Sequence, residues 1–289
     1  MIPRPFEYHA PTSVDAALAL LATHGAEAKL LAGGHSLLPM MKLRFAAPAH
    51  LIDLNRISSL RGIRLEGNEL RIGAMTTEND LIWSPLLAEY CPLLVETARL
   101  ISDPQVRYRG TIGGDISHGD PGNDHPAVML CLRASFVLQG HGGERVVPAE
   151  GYFLGTYATA IEPDEILTEI RVPVPSKDSG SCYSNLKRKT GDFATAAAAV
   201  LLKFDGDNVL DASIALTNVG PTALKATDAE NALRSRPLTE QVIEEAARLA
   251  MAVCDPVEDL RGSVAYKVAM AGEVTRRALL TAASRATHA

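Results

Sequence analysis

Two pairs of adjacent glycines are the residues of this sequence best suited to ligand chemistry. They lie in the runs Ala32-Gly33-Gly34-His35-Ser36 and Thr111-Ile112-Gly113-Gly114-Asp115, and each pair follows apolar residues and leads into a polar side chain. Glycine adopts positive φ readily and lets main-chain N–H groups approach a ligand closely, which is the geometry of an anion-binding nest. One such turn is usually structural. Two turns of bare backbone, each ending in a small polar side chain, predict a ligand whose two phosphates lie between them.

The common nucleotide and hydrolase motifs do not account for these glycines. A Rossmann site requires GxGxxG between a strand and a helix, whereas the glycines of both pairs are adjacent. The GxxxxGK[ST] phosphate loop and the GxSxG nucleophile elbow are also absent from the sequence. We therefore expect a nucleotide held by a different fold, and no hydrolase triad.

Other polar residues leave alternatives open. His118, Asp120, Asp124 and His125 are suitable metal ligands, but their spacing matches no zinc pattern and turn chemistry explains the segment, so we expect no metal site. The basic run Lys187-Arg188-Lys189 is either a solvated strand end or a cation facing phosphate or an electron-rich ring. The four cysteines include no CxxC pair, which excludes an iron–sulfur run and favours buried free thiols.

Helices and strands with clear start and stop signals lead into both glycine pairs. Before and after the first pair, the pattern predicts a helix over 14–25, a strand over 28–32, a helix over 36–43 interrupted near Pro39, and a strand over 50–54. Around the second pair it predicts strands over 69–74, 135–138 and 165–172, a helix over 92–100 stopped by Asp103-Pro104, and a helix over 126–133 capped by Asp124.

A change of pattern near residue 173 predicts a second structural unit. Residues 173–181 combine proline, serine and glycine without periodicity, which is typical of a linker. Strands over 182–186, 196–204 and 212–218 precede helices over 239–254 and 270–286, an order that favours an α+β lobe.

Composition limits the class of protein. The chain has 289 residues and a formal charge of −6, which argues against sequence-independent nucleic-acid binding. No apolar stretch approaches the length that spans a bilayer, and the N-terminus has no signal-peptide pattern. We expect a cytoplasmic globular protein.

The runs around both glycine pairs resemble the flavin subunits of molybdenum hydroxylases. Residues 30–44 are similar to the first FAD loop of that family, and residues 110–115 to the second. Residues 116–127 are similar to the medium chains of aerobic carbon monoxide dehydrogenases, and 187–194 and 215–219 extend the match. The resemblance covers the chain from about Pro5 to the C-terminal helix.

This resemblance implies an α+β fold with two domains. Residues 1–176 would form the bipartite FAD-binding domain of the vanillyl-alcohol oxidase type, with lobes at about 1–55 and 56–176. Residues 177–289 would form the α+β C-terminal domain of the carbon monoxide dehydrogenase flavoproteins.

The resemblance also implies roles for individual residues in binding FAD, with no catalytic residue and no metal ligand in this chain. The main chain of Ala32, Gly33, Gly34, His35 and Ser36, and of Thr111, Ile112, Gly113, Gly114 and Asp115, would hold the pyrophosphate and ribityl parts. Ile101 and Leu167 would pack near the flavin. Asp124 would accept hydrogen bonds from the cofactor, and Lys187 would lie near the isoalloxazine or its pyrimidine edge.

The implied enzyme contains two further kinds of subunit. A large subunit would hold molybdenum and oxidise the substrate, and a small subunit would carry [2Fe–2S] clusters that pass electrons to FAD in this chain. We expect a dimer of heterotrimers, an exposed apolar patch for the small subunit, and peripheral membrane contact through a quinone acceptor. The alternatives are the flavin subunit of an aldehyde or N-heterocycle dehydrogenase, and a non-catalytic nucleotide-binding protein of the same fold.

Overall fold

The first lobe is a three-stranded parallel sheet covered by a helix. The structure is a computed structural model that describes residues 2–286. The strands are β1 (Glu7–His9), β2 (Ala28–Leu31) and β3 (His50–Asp53), in the order β1-β3-β2, and the helices are α1 (Val14–His24) and α2 (Leu37–Leu43). The predicted ends of α1 are confirmed, because the Ser13 side chain accepts a hydrogen bond from the Ala16 amide and Gly25 follows the helix with φ 51°.

The predicted interruption of the second helix is wrong. Helix α2 is continuous through Pro39, which is its third residue. An amide at this position has no intrahelical acceptor, so a proline there breaks no hydrogen bond.

The middle lobe is built on an antiparallel five-stranded sheet in the order β4-β5-β10-β6-β7. Its strands are β4 (Ile63–Glu66), β5 (Glu69–Gly73), β6 (Ser135–Gly140), β7 (Gly143–Pro148) and β10 (Ile166–Pro173), and a separate pair is formed by β8 (Phe153–Gly155) and β9 (Ala158–Thr159). Its helices are α3 (Glu78–Ile82), α4 (Pro85–Tyr90), α5 (Pro92–Leu100), α6 (Pro104–Arg107), α7 (Ile112–His118) and α8 (Asp124–Cys131).

Two aspartates in this lobe have different roles from those predicted. Helix α5 has the predicted bounds, but Asp103 does not stop it; the Asp103 side chain instead accepts a hydrogen bond from the Val106 amide and caps α6. Asp124 is the first residue of α8 rather than its cap, and its carboxylate accepts a hydrogen bond from the Tyr183 hydroxyl.

The C-terminal part is an antiparallel sheet followed by helices, as predicted. The strands are β11 (Gly180–Leu186), β12 (Ala196–Asp205), β13 (Asn208–Thr217) and β14 (Leu224–Lys225), in chain order across the sheet, and the helices are α9 (Thr227–Leu233), α10 (Glu240–Ala252) and α11 (Val264–Arg285). Strand β10 ends at Pro173 and β11 begins at Gly180, so the predicted linker is shortened to residues 174–179.

This sheet is buried on both faces, and alternate residues of β12 face opposite sides. Ala197 and Ala199 belong to the core of the middle lobe, whereas Ala198 and Val200 pack in the core formed with α9, α10 and α11. A Cβ at Gly180 would lie 1.9 Å from the Ala282 carbonyl oxygen of α11. Small side chains therefore bring helices and sheet close together on both faces.

Cys91, Cys131 and Cys182 are buried free thiols, as predicted, and Cys254 is half-buried and also free. Within residues 2–286, no helix combines the length and the apolar character needed to cross a bilayer.

Candidate functional site

The two glycine segments lie against each other in the structure. A Cβ on Gly33 would lie 2.3 Å from the Arg109 carbonyl oxygen, and one on Gly114 would lie 3.3 Å from the Ala32 Cβ. The Asn55 side-chain amide donates a hydrogen bond to the Ala32 carbonyl oxygen at 3.0 Å, which fixes the position of the first segment. The chain therefore brings together the two segments that the sequence singles out.

Different structural constraints favour glycine at these four positions. Gly33 and Gly113 would each place a Cβ within 2.5 Å of a carbonyl oxygen, of Arg109 and Ala74 respectively, so the packing of the chain on itself excludes a side chain. Gly34 has φ +81°, which disfavours any other residue. Gly114 is less confined, since its Cβ would meet the Thr111 Oγ1 at 2.8 Å and the Ala32 Cβ at 3.3 Å.

Only the first pair lies in a turn of bare backbone. Residues 32–36 form bends and turns before α2, and the His35 and Ser36 side chains are exposed. The prediction of a turn is wrong for the second pair, because Gly113 and Gly114 lie in the first turn of α7. Thr111 caps that helix, its side chain accepting a hydrogen bond from the Gly114 amide at 3.2 Å.

Asp115 carries a polar atom without a partner beside these glycines. Its Oδ1 is buried and has no hydrogen-bond partner among the described residues, whereas its carbonyl oxygen accepts from the Asn123 side chain at 3.0 Å. Burial raises the pKa of the Asp115 carboxyl well above its usual value, and the carboxylates of Glu78, Asp124 and Asp120 add to that rise against the opposing effect of His125. A buried carboxyl that is readily protonated can donate to an anionic ligand.

Three other predicted residues meet at the contact with the C-terminal domain. Asp124 is 6% exposed and accepts a hydrogen bond from the Tyr183 hydroxyl at 2.5 Å, and the Lys187 Nζ lies 3.8 Å from its Oδ2. The Lys187 ammonium also donates to the Leu100 carbonyl oxygen, which places it next to Ile101 at the end of α5. Burial raises the pKa of Asp124, although Lys187, the hydrogen bond from Tyr183, and His125 oppose that rise.

Two further predicted residues have buried side chains. Leu167 in β10 is 4% exposed and Ile112 is fully buried, and both belong to the core of the middle lobe. Ile112 can therefore offer a ligand only its main chain.

A buried ion pair lies close to Asp115 and Asp124, and sequence reasoning missed it. His125 Nε2 is 2.7 Å from Glu78 Oε2, with the histidine side chain fully buried and the glutamate side chain 3% exposed. Burial lowers the pKa of His125, but the charge and hydrogen bond of Glu78 and the carboxylates of Asp115 and Asp124 outweigh it and raise the pKa to about 9. The partners are 47 positions apart in sequence, so no local pattern connects them.

The residues suggested as an alternative metal site have other partners. The Asp120 Oδ1 accepts from the Gly122 amide at 2.9 Å, Asp124 binds Tyr183, and His125 binds Glu78. His118 packs against the ring of Tyr157 at a centroid distance of 5.0 Å.

The chemistry of these groups fits a dinucleotide such as FAD. Glycine-bearing main chain converges from two segments, an unpartnered carboxyl lies beside it, and a half-buried lysine ammonium is held at the edge of the same region. Together these groups can bind a diphosphate and place a positive charge near an electron-rich ring.

The fold and these groups define an FAD-binding flavoprotein of the molybdenum-dependent dehydrogenases, and the chain belongs to that family. Residues 4–175 match the FAD binding domain in molybdopterin dehydrogenase, and residues 181–282 match the CO dehydrogenase flavoprotein C-terminal domain. The expected family, the α+β fold, FAD as cofactor and the oxidoreductase class are thereby confirmed.

Individual relatives within this family show which kind of dehydrogenase the chain resembles. The chain is 58% identical over 285 residues to the carbon monoxide dehydrogenase medium chain of Hydrogenophaga pseudoflava, covering 99% of both chains. It is 51% identical over 286 residues to the corresponding chain of Afipia carboxidovorans, again covering 99% of both. A solved carbon monoxide dehydrogenase structure from Hydrogenophaga pseudoflava superposes with a TM-score of 0.98 at 59% identity, over 99% of this chain and 100% of that chain.

Proposed function

We propose that this chain is the FAD-carrying electron-transfer subunit of an aerobic carbon monoxide dehydrogenase. The observation that carries the proposal is the convergence of both glycine segments beside Asp115, in a chain similar over its full length to carbon monoxide dehydrogenase medium chains. The alternative of an aldehyde or N-heterocycle dehydrogenase has weaker support, because relatives of that kind are less similar: the caffeine dehydrogenase subunit beta of a Pseudomonas species is 34% identical over the whole chain.

The residues proposed to hold FAD are those of the two glycine segments and their neighbours. The main chain of residues 32–36 and 111–115 would bind the diphosphate and ribityl parts, and Ile101 and Leu167 would contribute apolar packing near the flavin. Bound there, FAD supplies the redox chemistry, taking up electrons and releasing them to a quinone or another acceptor.

Lys187 and Asp124 would position and polarise the cofactor. The hydrogen bond to Leu100 and the nearby Asp124 keep the Lys187 ammonium in one place, where its charge favours electron density on an adjacent ring. The hydrogen bond from Tyr183 fixes the Asp124 carboxylate, so the C-terminal domain contributes directly to the geometry of the site.

We assign substrate oxidation to other subunits of the same complex. Within residues 2–286, no cysteine belongs to a group of three or more side chains that could hold a metal, and we propose that electrons arrive from a small [2Fe–2S] subunit. A large subunit would bind molybdenum and oxidise carbon monoxide. We further propose a dimer of these heterotrimers, cytoplasmic and with peripheral membrane contact through the quinone, and a domain boundary after residue 176.

The assembled complex tests this function. Carbon monoxide added anaerobically should bleach the flavin absorbance of the purified three-subunit complex, and should leave the isolated FAD-loaded chain unchanged. Bleaching of the complex by an aldehyde or an N-heterocycle and not by carbon monoxide would assign the chain to the alternative enzyme. Absence of FAD from both the complex and the chain would overturn the proposal altogether.

A further inference from the structure

Three histidines from separate elements meet in the N-terminal lobe. His9 is the last residue of β1, His24 the last of α1 and His50 the first of β3. One side-chain nitrogen of each lies within 4.8 Å of the others, and all three residues are half-buried. His9 Nε2 is 3.1 Å from His50 Nδ1, and the ring of His24 stacks on that of His50 at a centroid distance of 3.6 Å.

The strand register and the helix above it produce this cluster. In the parallel pair β1–β3, Glu7 is opposite His50 and His9 is opposite Ile52, so these four side chains lie on one face of the sheet. Helix α1 packs on the same face, because Ile52 shares a core with Ala17, Leu18 and Leu21 of that helix. The helix ends over the cluster at His24, where its dipole favours positive charge.

The nitrogen positions are close to those that a tetrahedral ion requires. Zinc–nitrogen bonds of about 2.0–2.1 Å place neighbouring ligand nitrogens about 3.4 Å apart. The 3.1 Å between His9 Nε2 and His50 Nδ1 is near this spacing. One nitrogen of His24 lies within 4.8 Å of those of the other two histidines, and it becomes a third ligand when the His24 ring rotates out of its stack on His50. Glu7 Oε2, 3.5 Å from His50 Nδ1, offers a fourth ligand.

We propose that His9, His24 and His50, with Glu7, bind one divalent transition-metal ion such as Zn²⁺. Three imidazoles and a carboxylate form a donor set that suits Zn²⁺ and its neighbours in the first transition row. This proposal departs from the sequence-based expectation of no metal ligand in the chain. The three histidines are 15 to 41 positions apart, so they form no local motif.

The site is separate from the proposed cofactor site and has a structural role. His50 pairs with Ala28 at the start of β2, whereas the first glycine segment follows Leu31 at the other end of that strand, about 10 Å away along the chain. The ion ties together a three-residue edge strand, the end of α1 and the central strand of a small sheet.

Titration of the tag-free, chelator-treated chain with Co²⁺ tests this site. We expect one Co²⁺ per chain, with the visible absorbance of tetrahedral coordination, and displacement by an equimolar amount of Zn²⁺. His24→Phe keeps a stacked ring but removes a ligand. It should weaken Co²⁺ binding by more than the roughly 10- to 100-fold that loss of an outer-shell partner causes. His9→Gln should do the same.

His141→Gln is the matched control, because it removes a histidine whose ring contacts the Leu18 carbonyl oxygen outside the cluster. This variant should bind Co²⁺ as the parent chain does, and Zn²⁺ should raise the thermal midpoint of the parent and of this control but not of His24→Phe. Fewer than one tight Co²⁺ per parent chain would overturn the proposal. Parent-like binding in both His24→Phe and His9→Gln would do so as well.

Discussion

At the scale of single residues, the buried pair of His125 and Glu78 makes stability depend on pH. The pKa of His125 is raised from 6.5 to about 9 in the folded chain, so its contribution is fully present below pH 6.5 and is lost as the pH rises through about 9. We expect a loss on the order of 3 kcal/mol across that window. Urea unfolding at pH 6, 7.5 and 9 measures it.

Two variants isolate that effect. Glu78→Gln removes the charge that holds the proton on His125, so its stability should be lower at pH 6 and should change little toward pH 9. His141→Gln removes an exposed histidine and should keep the slope of the parent. An equal slope in the parent and in Glu78→Gln would refute the assignment.

Asp115 should make FAD affinity depend on pH. Burial and the nearby carboxylates raise the pKa of its carboxyl, so at low pH the protonated group can donate to an anionic oxygen of the cofactor. Affinity should fall as the pH rises through this raised pKa. Asp115→Asn keeps the shape and a donor, and should bind FAD with a flat pH profile, whereas Asp115→Leu should bind weakly at every pH. Fluorescence titration with FAD gives the three profiles, and a parent profile as flat as that of Asp115→Asn would be inconsistent with this role.

Some residues of the site can be predicted from the sequence, whereas several of their contacts cannot. Both glycine segments, Asp124 and Lys187 are recognisable because runs of adjacent residues carry the pattern. The pair of Glu78 with His125, the Tyr183 partner of Asp124, and the cluster of His9, His24 and His50 are created by chain segments that meet only on folding. No spacing along the sequence encodes these contacts.

At the scale of elements, the cap of α7 should couple helix stability to cofactor binding. Thr111→Ala removes the side-chain acceptor of the Gly114 amide, which should cost about 1 kcal/mol and loosen the second glycine segment. Thr239→Ala removes the equivalent cap of α10, remote from the site, so it should lower stability without changing FAD affinity. Thermal unfolding and FAD titration of both variants measure the two effects. Equal FAD affinity in the two variants would show that the cap does not position the site.

Element bounds follow from the sequence where local chemistry decides them. The predicted start and end of α1 are confirmed, because the Ser13 cap and the Gly25 stop depend on neighbouring residues. The predictions for Pro39 and Asp124 are wrong for different reasons. A proline in the first helical turn breaks no hydrogen bond. The Asp124 carboxylate instead accepts a hydrogen bond from Tyr183, 59 positions later.

At the scale of the whole molecule, one exposed apolar patch near Lys187 is the expected docking surface for a partner. It comprises Phe193 and Leu260, which are 44% and 88% exposed, and Arg261 lies over the Phe193 ring at 5.5 Å. The contacts of Arg188 with the Leu260 carbonyl oxygen and of Arg261 with Asp192 hold the patch to the loop after β11. Exposed apolar groups held in place in this way mark interaction surfaces.

Leu260→Glu should therefore weaken association with the iron–sulfur subunit. A charge at the centre of an apolar contact costs desolvation without a partner, and we expect a loss of about tenfold or more in affinity. Leu210→Glu is the matched control, since Leu210 is 52% exposed on β13 and lies outside the patch. Co-purification and a binding titration of the two variants compare them, and equal affinities would place the contact elsewhere.

FAD binding by the isolated chain is the measurement that tests the central claim most directly. Gly114→Val places a side chain where the two glycine segments meet, whereas Gly142→Val places one in open space. Compared under conditions where both variants keep the circular dichroism of the parent, Gly142→Val should bind one FAD per chain with parental affinity. Gly114→Val should bind about 10- to 100-fold more weakly, as expected for the loss of one or two charge-assisted hydrogen bonds. Parental affinity in the folded Gly114→Val chain would contradict an FAD site between these segments.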